Sequence, residues 1–302
     1  MPKIAFLFPG QGAQTVGMCK ELLDTFPPAR ATFGRASEIL GYDLVEICTN
    51  GPEARLNSTA VSQPAIFVAS WAALEQLREQ KPELVAACEA AAGLSLGEYT
   101  ALAFAGALSF EQTLRVVRAR GEAMQAAADA TPSGMASILG LERDQIEGLC
   151  RQTRLHARVW IANLLCPDNI VVSGERAGIE TITPLAEAAG ATKVIPLMVA
   201  GAFHTEIMRP ADEQLAKVLE SVVIKRPRIP VISNVDATSH DEPTEIRQLL
   251  VRQILFPVLW EDSVRRLVAD GFDKFYEIGP GRVLRGLLKR IDRKVPCESV
   301  GG

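Results

Sequence analysis

Short apolar runs that break into glycine loops, and then into amphipathic segments, constrain this 302-residue chain more than any other feature. Four runs show the pattern: Ile4–Phe8 before Pro9-Gly10-Gln11-Gly12, the run into Gly93, Ile229–Ser233, and Phe272–Ile278 before Gly279-Pro280-Gly281. Buried strands alternating with helical segments predict an α/β chain with a largely parallel sheet. Such sheets collect ligands at the glycine loops that close their strand C-termini.

The rhythm changes in the middle. From Gly134 the pattern reads strand (Met135–Leu141), helix (Arg143–Arg154), strand (Val159–Leu165), strand (Ile170–Ser173), helix (Ala177–Ala189), strand (Thr192–Val199). That βαββαβ order is the ferredoxin-like split unit. It predicts a small lobe over 131–199 inserted into a larger one made of 1–130 and 200–302. A cleft between two lobes is a usual ligand site.

Composition removes several classes of function. Lys+Arg total 32 against 36 Asp+Glu, a net charge of −4, and the pI is near 5.6, so the basic excess of a nucleic-acid binder is missing. The 48% hydrophobic and 23% charged residues are globular values. Membrane insertion is not expected. The most apolar stretch, Leu84 to Phe110, is interrupted by Glu89, Glu98 and several glycines, short of the roughly 18 apolar residues of a spanning helix. The six cysteines (Cys19, Cys48, Cys88, Cys150, Cys166, Cys297) form no CxxC pair. With no histidine beside them, they predict neither a metal site nor a disulfide framework, and read as reduced core thiols. With a strand already at Ile4 and no basic leader before it, the expectation is a cytoplasmic chain. An organellar transit peptide removed beforehand would leave no mark in this sequence.

Gly93-Leu94-Ser95-Leu96-Gly97 is a GxSxG pentad between an apolar run and a plausible helix, Glu98 to Leu108. As a nucleophile elbow it would expose the Ser95 hydroxyl on a tight strand-to-helix turn and turn the Leu96 amide toward a developing oxyanion. Ala86–Ala92 has poor strand propensity, which leaves an ordinary glycine-flanked turn as the competing reading.

Only three histidines are available as a general base. His240 lies in the polar stretch Asp236–Glu245, read as a solvated loop, and His156 sits beside Arg154 and Arg158 at a strand entrance of the small lobe. His204 follows the apolar run Val199–Phe203 and precedes a helix starting near Thr205. Alone it reads more readily as a structural histidine. Beside an exposed serine it is the only credible partner, because a serine hydroxyl is a weak nucleophile at neutral pH. No acidic residue stands out as a third member, and any acceptor for the second ring nitrogen meets the requirement.

Ser109-Phe110-Glu111-Gln112 reads as a capping box opening a helix from Thr113 to about Ala126. At about 100° per residue, Leu114, Val117, Gly121 and Met124 form its apolar face, with Arg115, Arg118 and Glu122 opposite. Arg120 lands on the apolar side, between Val116 and Met124. A buried guanidinium needs a partner. Two are open: an internal Asp or Glu, or a substrate carboxylate clamped bidentately. A nucleotide site is disfavoured, because neither Gly10-Gln11-Gly12 nor Gly279-Pro280-Gly281 completes GxGxxG and no GxxxxGK[ST] occurs.

These blocks, taken in order, resemble the malonyl-CoA:acyl carrier protein transacylases and the acyltransferase domains of fatty-acid and polyketide synthases. The resemblance runs through Phe8–Gly12, Gly93–Tyr99, Arg120-Gly121 with Met124-Gln125, and Gly201–His204. It continues through Ser233–Asp236, Arg252-Gln253 with Pro257 and Trp260, and Glu277–Gly281. It implies a hydrolase-like large lobe with a ferredoxin-like insert. It also implies a ping-pong transfer of malonyl from malonyl-CoA to the phosphopantetheine thiol of acyl carrier protein, supplying fatty-acid synthesis without a cofactor or metal.

The roles it implies are Ser95 as nucleophile, His204 as base, the Gln11 and Leu96 amides as oxyanion hole, and Arg120 as partner of the malonyl carboxylate. The Gln253 main-chain carbonyl would orient His204, and Asn163 would lie near the site. Phe203 matches the malonyl-selective form. Leu94 and Leu165 depart from the family, where many members carry His and Asn. The alternative is an acyltransferase or acyl hydrolase of a polyketide-type pathway using the same Ser–His dyad. An acidic carrier protein would need a basic patch on this acidic chain. Arg282, Arg285, Lys289 and Arg290, with Arg293 and Lys294, form one candidate, and Lys225-Arg226-Pro227-Arg228 a second. Cations favoured at a helix C-terminus are the competing account of the first.

Overall fold

The computed structural model describes residues 2–301. Among them run ten strands: β1 (Ile4–Phe8), β2 (Cys88–Gly93), β3 (Ser133–Leu139), β4 (Val159–Cys166), β5 (Asn169–Glu175), β6 (Lys193–Pro196), β7 (Val231–Ile232), β8 (Val258–Leu259), β9 (Lys274–Ile278) and β10 (Cys297–Val300). They form two sheets. The first, in the order β10-β9-β1-β2-β7, is parallel throughout.

Every residue of β1 is buried. Phe6 and Phe8 point into the larger core with helices Thr59–Gln80 and Phe110–Ala130, while Ala5 and Leu7 point into a second core with Trp260, Leu284 and Leu288. Burial on both faces explains why the strand is apolar without alternation.

The alanine run that reads poorly as a strand is nonetheless β2 from Cys88 onward, with Ala86 closing a short helix, Pro82–Ala86. Ala90 and Ala92 face one core and Ala91 the other. The small side chains let helix Leu96–Phe104 lie close: a Cβ on Gly93 would stand 1.9 Å from the Gly97 carbonyl carbon. Packing on both faces overrides propensity here.

The second sheet has the order β6-β3-β5-β4-β8, antiparallel except for the β4–β8 pair. Helices Arg143–Thr153 and Arg176–Ala188 lie between its strands in sequence, completing the βαββαβ unit, and their core holds Ile138, Ile146, Val159 and Ile182. Its fifth strand, β8, comes from outside 131–199 and pairs Asn163 with Val258 and Leu164 with Leu259. That pairing ties the insert to the segment carrying Gln253. The observed strands β7 and β9 are shorter than the apolar runs Ile229–Ser233 and Phe272–Ile278 that announce them. His240, expected in a solvated loop, is instead pinned between Asp236 and Glu245, each 3.0 Å away. No described helix is long and apolar enough to cross a membrane.

Candidate active site

Loops at the C-terminal ends of β1, β2 and β7, together with the segment after β6 that carries His204, build the site. After β2, Ser95 takes φ 50° and ψ −102°, a positive φ that a non-glycine residue holds only when its surroundings enforce it. The enforcement is visible. Asn234 Oδ1 accepts from the Ser95 amide at 2.6 Å, and Asn234 Nδ2 donates to the Gly93 carbonyl at 2.7 Å. The Leu94 amide donates to the Phe8 carbonyl at 3.1 Å. Close approach also requires glycine at two points: a Cβ on Gly97 would meet Phe8 O at 2.0 Å, and one on Gly10 would meet Leu94 O at 2.2 Å.

His204 also has a positive φ, 62°, and is 4% exposed. It precedes a short 3-10 turn, Glu206–Met208, not the α-helix read from Thr205. Its Nε2 is 2.9 Å from Ser95 Oγ, and its Nδ1 is 2.7 Å from the main-chain carbonyl of Gln253. A carbonyl only accepts, so Nδ1 carries the proton and Nε2 is left to accept the Ser95 hydroxyl proton. Burial, and then the nearby charge of Arg120, push the imidazole down to about 4 against the pull of the Gln253 and Phe256 backbone bonds. It is therefore neutral at physiological pH.

Arg120 sits on helix Phe110–Ala130, which opens with the Ser109–Gln112 capping box. Gly121 allows this helix to pack tightly, since a Cβ there would lie 2.7 Å from Thr59 O. The guanidinium is 1% exposed. Its Nη1 donates to Gln63 Oε1 at 2.7 Å, and its Nη2 donates to Ser95 Oγ and to Gln253 Oε1, both at 2.9 Å. Tyr99 lays its ring 5.3 Å from the guanidinium carbon. Among the described residues no carboxylate pairs with it, and Nε has no partner. Of the two partners open from the sequence, the internal ion pair is not formed.

Ser95, Arg120, Asn163, His204 and Gln11 line one cavity of about 90 Å³, together with Leu94, Phe203, Met124, Met135 and Leu197. Among the described residues neither the Gln11 nor the Leu96 amide donates to another protein group. Leu96 opens a nine-residue helix, whose dipole adds to that donor. Asn163 Oδ1 is buried without a partner. Leu94 faces the cavity, while Leu165 packs against the apolar cores.

Sequence reasoning did not single out Gln63, Glu98 or Asn234. Glu98 is 4% exposed, and its Oε2 accepts from the Asn234 amide at 3.0 Å and from Gln253 Nε2 at 2.7 Å. Burial pushes its carboxyl up to about 7, against those bonds and Arg120. The signal available for Gln63 was a lone amide inside an apolar helical run.

The basic residues Arg282, Arg285, Lys289 and Arg290 are exposed around helix Val283–Ile291, and Arg290 donates to the Pro167 carbonyl at 2.8 Å. The second basic stretch is largely engaged: Arg226 pairs with Asp241, and Arg228 donates to the Phe104 and Ala105 carbonyls.

The acyl transferase domain family matches residues 5–300. The chain belongs to that family. Malonyl CoA-acyl carrier protein transacylase of Bacillus subtilis is 43% identical over 303 residues, covering 99% of this chain and 94% of its own length. Among solved structures, the malonyl CoA-acyl carrier protein transacylase of Coxiella burnetii superposes with a TM-score of 0.95 at 36% identity, covering 100% of this chain and 95% of its own. A malonyl-transacylase solved in complex with its type II polyketide synthase acyl-carrier protein superposes at 0.93 and 38% identity, covering 98% and 94%. The hydrolase-like sheet with its ferredoxin-like insert is thus the acyltransferase architecture.

Proposed function

We propose that this acyltransferase moves a malonyl group from malonyl-CoA to the phosphopantetheine thiol of acyl carrier protein, supplying extender units for fatty-acid synthesis. Ser95 Oγ gives its proton to His204 Nε2 and attacks the thioester carbon. The Gln11 and Leu96 amides hold the oxyanion. The carbon–sulfur bond breaks, and His204 returns the proton to the departing CoA thiolate. The carrier thiol then reverses these steps on the malonyl–Ser95 ester.

The observation that carries the reading is Arg120, a buried guanidinium within hydrogen-bonding reach of the nucleophile, with an unpartnered Nε and no protein carboxylate. A neutral-acyl hydrolase has no use for it. A malonyl carboxylate would supply the missing pair bidentately. Asn163 would contribute a further polar wall.

The six cysteines are free thiols, which suits a cytosol-like compartment. The carrier protein would meet the exposed Arg282, Arg285, Lys289 and Arg290. Incubating the protein with malonyl-CoA and holo acyl carrier protein tests the reading. Malonyl-carrier and free CoA in equal amounts are expected. Free CoA and free malonate without malonyl-carrier would make it a hydrolase.

A further inference from the structure

Arg120 is a fully buried charge that touches no carboxylate, yet a buried charge without compensation is expensive. The compensation lies one amide away. Gln253, which has no exposed surface, stands between Arg120 and Glu98. Its Nε2 donates to Glu98 Oε2 at 2.7 Å and to the Ser95 carbonyl at 3.1 Å. With two acceptors fixing the amino end, its Oε1 must face Arg120 Nη2, at 2.9 Å. The main-chain carbonyl of the same residue receives His204 Nδ1. Glu98 also takes the amide of Asn234, whose side chain holds the Ser95 elbow.

We propose that Glu98 is the counter-charge of Arg120 and, through the Gln253 amide, sets how tightly the site holds a carboxylated acyl group. It is a positioning residue, since it touches neither Ser95 Oγ nor the acyl cavity. The inference rests on the reading of Arg120 as the carboxylate clamp. An anionic Glu98 draws on the field of Arg120 and weakens its hold on a substrate carboxylate. A neutral Glu98 leaves the whole guanidinium charge facing the cavity.

The charged and titratable groups around Glu98 are Arg120 from helix Phe110–Ala130, Asp236 after β7, Tyr99 beside it on its own helix, and His204, neutral well above pH 4. Burial and Asp236 favour the neutral acid while Arg120, Asn234 and Gln253 favour the anion, and the balance lies near pH 7. The hold on a carboxylate therefore weakens as pH rises through neutrality.

The test uses malonyl and acetyl thioesters of N-acetylcysteamine, which lack the phosphates of CoA that titrate in the same range. Acyl-enzyme formation is followed from about pH 5.5 to about pH 8.5 in wild type and Glu98→Gln, and half-saturation is separated from maximal rate. In wild type the malonyl half-saturation concentration is expected to rise on the order of 5-fold across neutrality, the effect of one unit charge an amide away at an effective dielectric well above a dry interior's. The acetyl value should stay level. Glu98→Gln keeps the shape and an acceptor oxygen, and should hold the low malonyl value throughout.

A level malonyl profile in wild type overturns the proposal. So does a parallel rise for acetyl, an unchanged profile in Glu98→Gln, or a variant that loses rate with half-saturation unaltered. Should Glu98→Gln not fold, the two wild-type profiles decide alone. Absence of malonyl uptake by wild type at any pH would instead remove the carboxylate-clamp reading beneath it.

Discussion

Arg120 donates to the Oγ of Ser95 at 2.9 Å, the same oxygen that faces His204 Nε2 at 2.9 Å. The group that would recognise the acyl carboxylate is therefore in contact with the nucleophile before substrate arrives. The guanidinium and the imidazole meet at one oxygen in one cavity.

Arg120 is expected to discriminate between acyl groups. In Arg120→Ala, kcat/KM for malonyl loading should fall by at least about 2 kcal/mol of transition-state stabilisation, since a buried charge partner is removed. Acetyl loading should fall far less. Comparing acyl-enzyme formation from malonyl-CoA and acetyl-CoA measures both, and equal losses would mean that Arg120 serves only the architecture.

The buried imidazole is expected to set the acid limit of the reaction. His204 acts as a base only when neutral, and burial together with Arg120 holds it down at about 4. The rising limb of kcat/KM for acetyl loading should lie near that pH, well below the ordinary imidazole value of about 6.5. The unfolded chain takes up this proton near its ordinary value, so the His204 contribution to folding stability declines as pH falls below about 6.5, opposed over the same range by the proton that native Glu98 takes up, and the profile is best read by pH jump. A limb at pH 6 to 7 would show that His204 is not held neutral.

Close packing at the elbow predicts a large stability cost from a single methyl group. In Gly97→Ala the new carbon would stand 2.0 Å from the Phe8 carbonyl oxygen, with backbone on both sides. Urea unfolding should show a loss of about 2–3 kcal/mol. A loss below about 0.5 kcal/mol, typical of a surface site, would mean that β1 and helix Leu96–Phe104 are not in contact.

Asn234 braces the strained serine from outside the pentad. Replacing it by Leu removes the acceptor of the Ser95 amide and the donor to the Gly93 carbonyl. Maximal acylation rate should drop on the order of 10²-fold, with the malonyl half-saturation concentration changed much less. A pure half-saturation effect would place Asn234 in substrate binding instead.

How much of this was legible in the sequence follows physical range. Ser95 announces itself because an elbow needs glycines at fixed local positions, and His204 because only three histidines exist. Arg120 is visible from helical angle alone. The roles of Gln63, Glu98 and Asn234 were hidden because a buried polar group is defined by partners far along the chain: Gln63 meets Arg120 across 57 residues, and Glu98 meets Gln253 across 155. The βαββαβ order was readable from periodicity. The two-residue strand β8 was not, because Val258–Leu259 is a strand only through its pairing with Asn163 and Leu164. The alanine run of β2 misleads for a related reason, since its small residues serve the helices packed on both faces.

The proposed mechanism turns on a malonyl group carried by Ser95 as a covalent ester. Intact mass of the protein mixed with malonyl-CoA, without carrier protein, tests it most directly, with Ser95→Ala run beside wild type. Wild type should show a malonyl-sized mass gain, absent from Ser95→Ala and discharged when holo acyl carrier protein is added. A gain that persists in Ser95→Ala, or no gain and no released CoA in wild type, would contradict it.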